Sequence, residues 1–127
     1  MKFTTLFLIL GLLTTFSCHK TSTTTPPTLS IAAPLGDDQF AGGQVIKISG
    51  ETADADGLHS LTIKITDDKT KAVLFTESPP VHDLKTYKFN VAWTAKVTDW
   101  TDATVTVTAI NHDEIETTKT IKIKIWL

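Results

Sequence analysis

From residue 28 onward, apolar and polar residues alternate in short runs, and this alternation restricts what the chain can fold into. Neighbouring side chains of a strand point to opposite faces, so each run has one apolar and one polar face. Abundant threonine also favours strands. No segment shows a convincing helical period. The runs predicted as strands are residues 29–33, 45–49, 61–66, 72–76, 87–93, 105–109 and 121–125.

Seven two-faced strands must bury their apolar faces against one another, and two packed antiparallel sheets achieve this. We therefore predict an all-β sandwich of about seven antiparallel strands over residues 28–127. Turn residues such as Asp67-Asp68 and Asn111-His112 separate the strands. The expected core is Ile31, Ile46, Ile48, Leu61, Ile63, Ile65, Leu74, Phe89, Val91, Trp93, Val105, Val107, Ile121 and Ile123.

Three stretches of this region have a distinctive order and spacing: IAAPLG at residues 31–36 with FAGGQV at 40–45, DADGLHSL at 54–61, and VTVTAINHD at 105–113. Together they resemble bacterial immunoglobulin-like domains. The resemblance covers residues 28–127 and implies an immunoglobulin-like sandwich. In particular, the chain is similar to small Bacteroidetes-type lipoproteins of unknown function that carry one such domain. It lacks the Cys…Trp…Cys pattern of antibody domains.

The first residues of the chain have the layout of an export signal. Lys2 supplies a positive charge, residues 6–13 are apolar, and Phe16-Ser17-Cys18 follows at the usual cleavage position. A helix that spans a bilayer needs about 20 apolar residues, and this run is shorter. This stretch resembles a Bacteroidetes-type lipoprotein signal, which implies a signal peptide over residues 1–17 and acylation of Cys18. A free thiol in a leader is the alternative.

We therefore expect the protein to be located in the cell envelope, with the lipid of Cys18 in the outer membrane of a Gram-negative bacterium. Residues 18–27 would form the lipidated cysteine and a solvated Thr/Pro tether, because they cannot bury apolar area. Without Lys2, eleven basic residues face fourteen acidic ones, a formal net charge of −3, and all the basic residues are lysines. Since phosphate recognition usually relies on arginine, we expect no nucleic-acid partner.

In such a sandwich the loops gather at two poles, and the loops after the second, fourth and sixth predicted strands share one. They carry Asp54, Asp56, His59, His82, Asp83, Asn111, His112, Asp113 and Glu114. These residues are ordinary turn formers in one interpretation. On that interpretation we expect no cofactor. Carboxylates and carbonyls could instead hold Ca²⁺, and histidines with a carboxylate could hold Zn²⁺.

The residues of this pole provide two overlapping sets of candidate metal ligands. The carboxylate-rich set is Asp54, Asp56, His82, Asp83, His112 and Asp113. A metal-handling lipoprotein could alternatively use the three histidines of the pole, His59, His82 and His112.

Trp100 stands in a polar loop at the opposite pole, beside Asp99 and Asp102. An exposed indole with carboxylates at its edge could stack on a sugar ring, so these three residues are candidates for ligand binding. In the alternative interpretation Trp100 folds under the loop and fills the end of the core.

Catalytic patterns are lacking in the sequence. Ser49, Ser60 and Ser78 have no Gly-x-Ser-x-Gly surroundings, and no glycine loop precedes a helix. We therefore predict that the chain is not an enzyme. The expected function is a membrane-anchored binding or adhesion module of the cell envelope with a protein or glycan ligand. The alternatives are an accessory subunit of an envelope complex and a Ca²⁺- or Zn²⁺-binding lipoprotein.

Overall fold

A computed structural model describes residues 25–127. The predicted signal peptide, Cys18 and the tether up to residue 24 lie outside the described residues. The strands are β1 (Thr28–Ala33), β2 (Asp38–Ala41), β3 (Val45–Ala53), β4 (Leu58–Asp67), β5 (Val73–Glu77), β6 (Thr86–Thr94), β7 (Thr101–Asn111) and β8 (Glu116–Trp126). Across these described residues no helix has the length and apolar character needed to cross a membrane.

The strands form two sheets. One has the order β1-β3-β6, and the other has the order β2-β8-β7-β4-β5. All neighbours are antiparallel except β2 and β8, which run parallel. The apolar faces of both sheets contribute to one buried cluster, and the prediction of an all-β, immunoglobulin-like sandwich is confirmed.

Strand β2 is the element that the sequence did not predict, because none of the alternating runs lies between residues 33 and 45. Asp38–Ala41 pairs in parallel with the end of β8, and Phe40 lies opposite Ile125. Only Phe40 is a large apolar residue in this four-residue strand, so no local alternation marks it. Its pairing partner is the outer edge of β8, which would otherwise expose unpaired backbone groups.

The core agrees with the predicted alternation in the central strands. The predicted residues that are fully buried are Ile46, Ile48, Leu61, Ile63, Ile65, Phe89, Val105, Val107 and Ile123. Those that are only partly buried are Ile31, Leu74, Val91, Trp93 and Ile121. Core residues that were not predicted are Leu29, Leu58, Val81, Ala95, Ala103, Ala109 and Ile125.

Gly50 allows β1, β3 and β6 to approach closely. A Cβ atom at this position would overlap the carbonyl oxygen of Ser30 and would lie 2.5 Å from Cζ of Phe89. The Phe89 ring is almost fully buried at 2% exposure, so it cannot move away without opening the core.

The last residues of the predicted tether pack on the domain. Pro27 is buried, and its carbonyl accepts a hydrogen bond from Thr117 Oγ1 at 2.6 Å. The carbonyl of Thr25 accepts one from Asn111 Nδ2 at 3.1 Å. Of these last tether residues, Thr25 and Pro26 are exposed and Pro27 is buried, and the carbonyls of Thr25 and Pro27 find partners at the end of the β7–β8 pair. The chain reaches the sandwich at this end.

Candidate functional site

Three histidines meet where the chain reaches the sandwich, and we call His59, His82 and His112 the histidine cluster. One ring nitrogen of each lies within 4.8 Å of the others. The ring centroids are 4.9 to 5.7 Å apart, with the rings edge to face. All three residues are exposed. Among residues 25–127, one group of three histidine, cysteine or carboxylate side chains is close enough to share a metal ion, and it is this cluster.

A β-bulge brings His59 to the cluster. In β4, Leu61, Ile63 and Ile65 face the core at every second position, so His59 should also face inward. The pairing with β7 instead shifts register between Leu58 and Ser60. This extra residue reverses the alternation, so that Leu58 is buried and His59 is exposed.

His82 lies in a turn that is attached to the start of β4. The turn is closed by a 2.9 Å hydrogen bond from the Leu84 N–H to the Val81 carbonyl, and Asp83 has a φ of 67°. The Leu58 N–H donates to the Leu84 carbonyl at 2.8 Å, and the Asp83 N–H donates to the Leu58 carbonyl at 2.9 Å. Val81 and Leu58 are both buried, so the turn is anchored in the core beside His59.

His112 lies at the tip of the β7–β8 hairpin, which the side chain of Asn111 holds. Asn111 Oδ1 accepts hydrogen bonds from the N–H groups of Asp113 and Ile115 at 3.1 and 3.0 Å. Asn111 is 2% exposed, so its polar atoms need these partners inside the protein.

Asp83 contacts two imidazoles of the cluster. Its Oδ1 lies 2.9 Å from Nε2 of His112, and its Oδ2 lies 3.7 Å from Nε2 of His82. Nδ1 of His82 lies 3.4 Å from the carbonyl oxygen of His59. A neutral imidazole that donates from one nitrogen presents a lone pair on the other, which is the form that binds metals.

The other predicted ligands of this pole lie outside the histidine cluster. Asp54 is only 9% exposed; its Oδ2 accepts from Asn111 Nδ2 at 3.1 Å, and its Oδ1 accepts from the Asp56 N–H at 2.9 Å. Asp113 donates its N–H to Asn111. Metal binding by the carboxylate-rich set stays a prediction. Of that set, the structure brings His82, Asp83 and His112 together with His59.

Trp100 lies at the opposite pole, on a groove of about 620 Å³, and is 62% exposed. The interpretation in which Trp100 fills the end of the core is therefore wrong. Ala95 and Val97, earlier in the same loop, pack against the core instead. The Trp100 N–H donates to Oδ1 of Asp99 at 2.8 Å. The groove, which we call the Trp100 groove, is lined by Asp67, Asp68, Lys69, Thr70, Leu74, Lys96, Val97, Thr98, Asp99, Trp100, Thr101 and Asp102.

Carboxylates dominate the charge of the Trp100 groove, with four aspartates and two lysines in its lining. Hydrogen bonds from the N–H groups of Thr70 and Lys69 lower the pKa of Asp67. Burial tends to raise the pKa of Asp68, but hydrogen bonds from Lys122 and Thr104 outweigh burial and leave it below its ordinary value. Both groups are therefore anionic at neutral pH.

Two solved structures are among those to which the chain is similar. A fibronectin(III)-like module structure of Clostridium thermocellum CbhA aligns at 19% identity and a TM-score of 0.48 over 80% of this chain and 46% of that one. The CARDB domain of a Pyrococcus furiosus protein, solved in complex with di-metal ions, aligns at 10% identity and a TM-score of 0.45, over 80% of this chain and 94% of that one. The chain thus spans about half the length of the clostridial structure.

No curated protein matches the chain. The family described as Bacterial Ig domain matches residues 27–109, which is more than half of the sequence. Domains with this fold are typically non-catalytic modules whose function depends on surface sites. By this match the chain belongs to the family of bacterial Ig domains.

Proposed function

We propose that this chain is a lipid-anchored, non-catalytic binding module of the bacterial cell envelope, and that it binds a glycan at the Trp100 groove. The observation that carries the proposal is the 62% exposure of Trp100 on a groove lined by carboxylates. An indole face stacks on the apolar face of a sugar ring, while carboxylates accept hydrogen bonds from its hydroxyl groups.

The position of Trp100 suits a ligand that lies outside the membrane. Thr25 contacts Asn111, so the chain reaches the domain at the pole of the histidine cluster. Trp100 lies in the loop between β6 and β7, at the far end of the sandwich. If Cys18 carries the lipid, the Trp100 groove is directed away from the bilayer.

The charge of the Trp100 groove supports a glycan over a phosphate-bearing ligand. Four aspartates outnumber two lysines in the lining, so the negative potential repels nucleic acid and other polyanions. Neutral or amino sugars avoid this repulsion. If no glycan bound, and if binding of an envelope protein to this chain required Trp100, the result would instead support a protein ligand or a role as an accessory subunit.

A glycan array with the full chain in detergent tests the ligand. We expect Trp100→Ala to lose the signal and Trp126→Ala to keep it, because Trp126 is also exposed, at 42%, but does not line the groove. Asp99→Asn and Asp102→Asn should weaken the signal. Absence of any glycan signal, or a signal that survives in Trp100→Ala, would contradict the proposal.

The anchor is tested separately, and its support is the order of Lys2, the apolar residues 6–13 and Cys18. We expect mass spectrometry of the mature protein to find acyl chains on Cys18. Two or more chains would hold the protein firmly on a membrane, and Cys18→Ala should release it to the soluble fraction. An unmodified thiol at the mature terminus would refute the anchor without affecting the glycan result.

A further inference from the structure

We propose that His59, His82 and His112 bind one divalent transition metal ion of the Zn²⁺ type. The site lies at the opposite pole from the Trp100 groove and does not depend on the proposed glycan ligand. Three imidazole nitrogens are borderline-soft donors that suit Zn²⁺, Cu²⁺ or Ni²⁺. They do not suit Ca²⁺, which takes six to eight oxygen ligands.

The geometry of the cluster is close to what an ion needs. Zn–N bonds of about 2.0–2.1 Å in a tetrahedral site place the nitrogens about 3.3 Å apart. The three nitrogens now lie within 4.8 Å of one another. The side chains are 60% exposed at His82 and 34% exposed at His112, so they have room to rotate towards a shared ion.

The contacts around the rings resemble the outer shell of metal-binding histidines. Such histidines usually donate their second N–H to a carboxylate or a backbone carbonyl, which orients the ring towards the ion. Nε2 of His112 makes such a contact with the Asp83 carboxylate at 2.9 Å. Nδ1 of His82 makes a weaker one with the backbone carbonyl of His59 at 3.4 Å. Asp83 is therefore a positioning residue for His112.

The three ligands are held by three separately anchored segments. A bulge exposes His59, a turn closed on buried Val81 presents His82, and buried Asn111 holds the hairpin of His112. The backbone is thus ordered before any ion binds, and this lowers the entropy lost on binding. With three protein ligands, the fourth position of the ion is left to water or to a ligand from outside.

Zinc titration by calorimetry tests the site, using the full chain without a histidine tag, in detergent. At pH 7.5 we expect one ion per chain. His59→Gln, His82→Gln and His112→Gln should each weaken binding at least ten-fold, whereas the matched control His19→Gln should leave it unchanged. At pH 5.5 the affinity should fall, because protons compete with the metal for imidazole nitrogens.

Two further measurements keep the test decisive. Circular dichroism and thermal unfolding without metal should be the same in the native chain and in the three variants, since the exchanged side chains are exposed. Co²⁺ bound in place of Zn²⁺ should give the intense visible bands of four-coordinate cobalt. The proposal is overturned by absence of zinc binding, by binding that survives the three substitutions combined, or by calcium binding with equal affinity.

Discussion

Asn111 Nδ2 donates a 3.1 Å hydrogen bond to Oδ2 of Asp54, and both side chains are nearly buried. This bond joins the loop after β3 to the hairpin that carries His112. It gives Asp54 a structural role beneath the histidine cluster. Because the Asp54 carboxylate accepts from Asn111 and from the Asp56 N–H, it is held away from the exposed imidazoles.

Asn111→Ala should destabilise the fold and weaken metal binding together. The substitution removes the hydrogen bonds that hold the hairpin and leaves Asp54 without its amide partner, and a buried polar group without a partner costs about 1–3 kcal/mol. Urea unfolding measures the loss of stability, and zinc titration measures the loss of affinity. Asp113→Asn, an exposed change in the same hairpin, should affect neither. An unchanged unfolding midpoint in Asn111→Ala would show that the bond to Asp54 is not structural.

Asp83→Asn should weaken zinc binding without changing stability. Loss of the carboxylate that orients a metal-bound histidine typically reduces affinity by about 10–100-fold. The Asp83 side chain is 76% exposed, and asparagine tolerates the left-handed backbone found at this position. The readouts are the zinc dissociation constant and its dependence on pH. If Asp83→Asn bound zinc as tightly as the native chain, Asp83 would have no positioning role.

Gly50→Ala should be strongly destabilising. The added Cβ would overlap the Ser30 carbonyl and the Phe89 ring, and overpacking of a dense core typically costs about 1–3 kcal/mol. Thermal or urea unfolding provides the measurement. Gly36→Ala is the matched control, because a Cβ there would meet nothing within 4 Å. Equal stability of the two variants would contradict the close approach of β1 and β6 at Gly50.

Stability should fall in acid, partly through Asp68. The folded pKa of Asp68 lies below its ordinary value, since hydrogen bonds from Lys122 and Thr104 outweigh the effect of burial. The unfolded chain therefore binds this proton more readily, and the contribution of Asp68 is present above about pH 4 and disappears as pH falls through the folded pKa. Lys122 is 64% exposed, so the contribution is small, below about 1 kcal/mol.

Unfolding free energies measured between about pH 7 and pH 2 test this dependence. The decline below about pH 4 should be shallower in Asp68→Asn than in the native chain. Asp113→Asn again serves as the control and should keep the native slope. If Asp68→Asn showed the native slope as well, Asp68 would not be linked to acid unfolding.

Alternation in the sequence determined seven of the eight strands, most of their buried faces and the sandwich. Burial of every second residue is a local property of a strand, so most inward positions of β3, β4 and β7 could be predicted directly from the sequence. The order of the loops also predicted that His59, His82 and His112 share one pole. Neither property depends on the details of packing.

Only the tertiary structure decided the features that depend on distant partners. Strand β2 exists because the edge of β8 pairs with it, and His59 is exposed because β4 bulges against β7. Trp100 remains outside the core, whereas Ala95 and Val97 of the same loop pack in or against it. Asp54 is occupied by Asn111, 57 residues later in the chain. Sequence patterns report the period of a strand, but pairing register, bulges and competition for core space are settled between segments far apart in the chain.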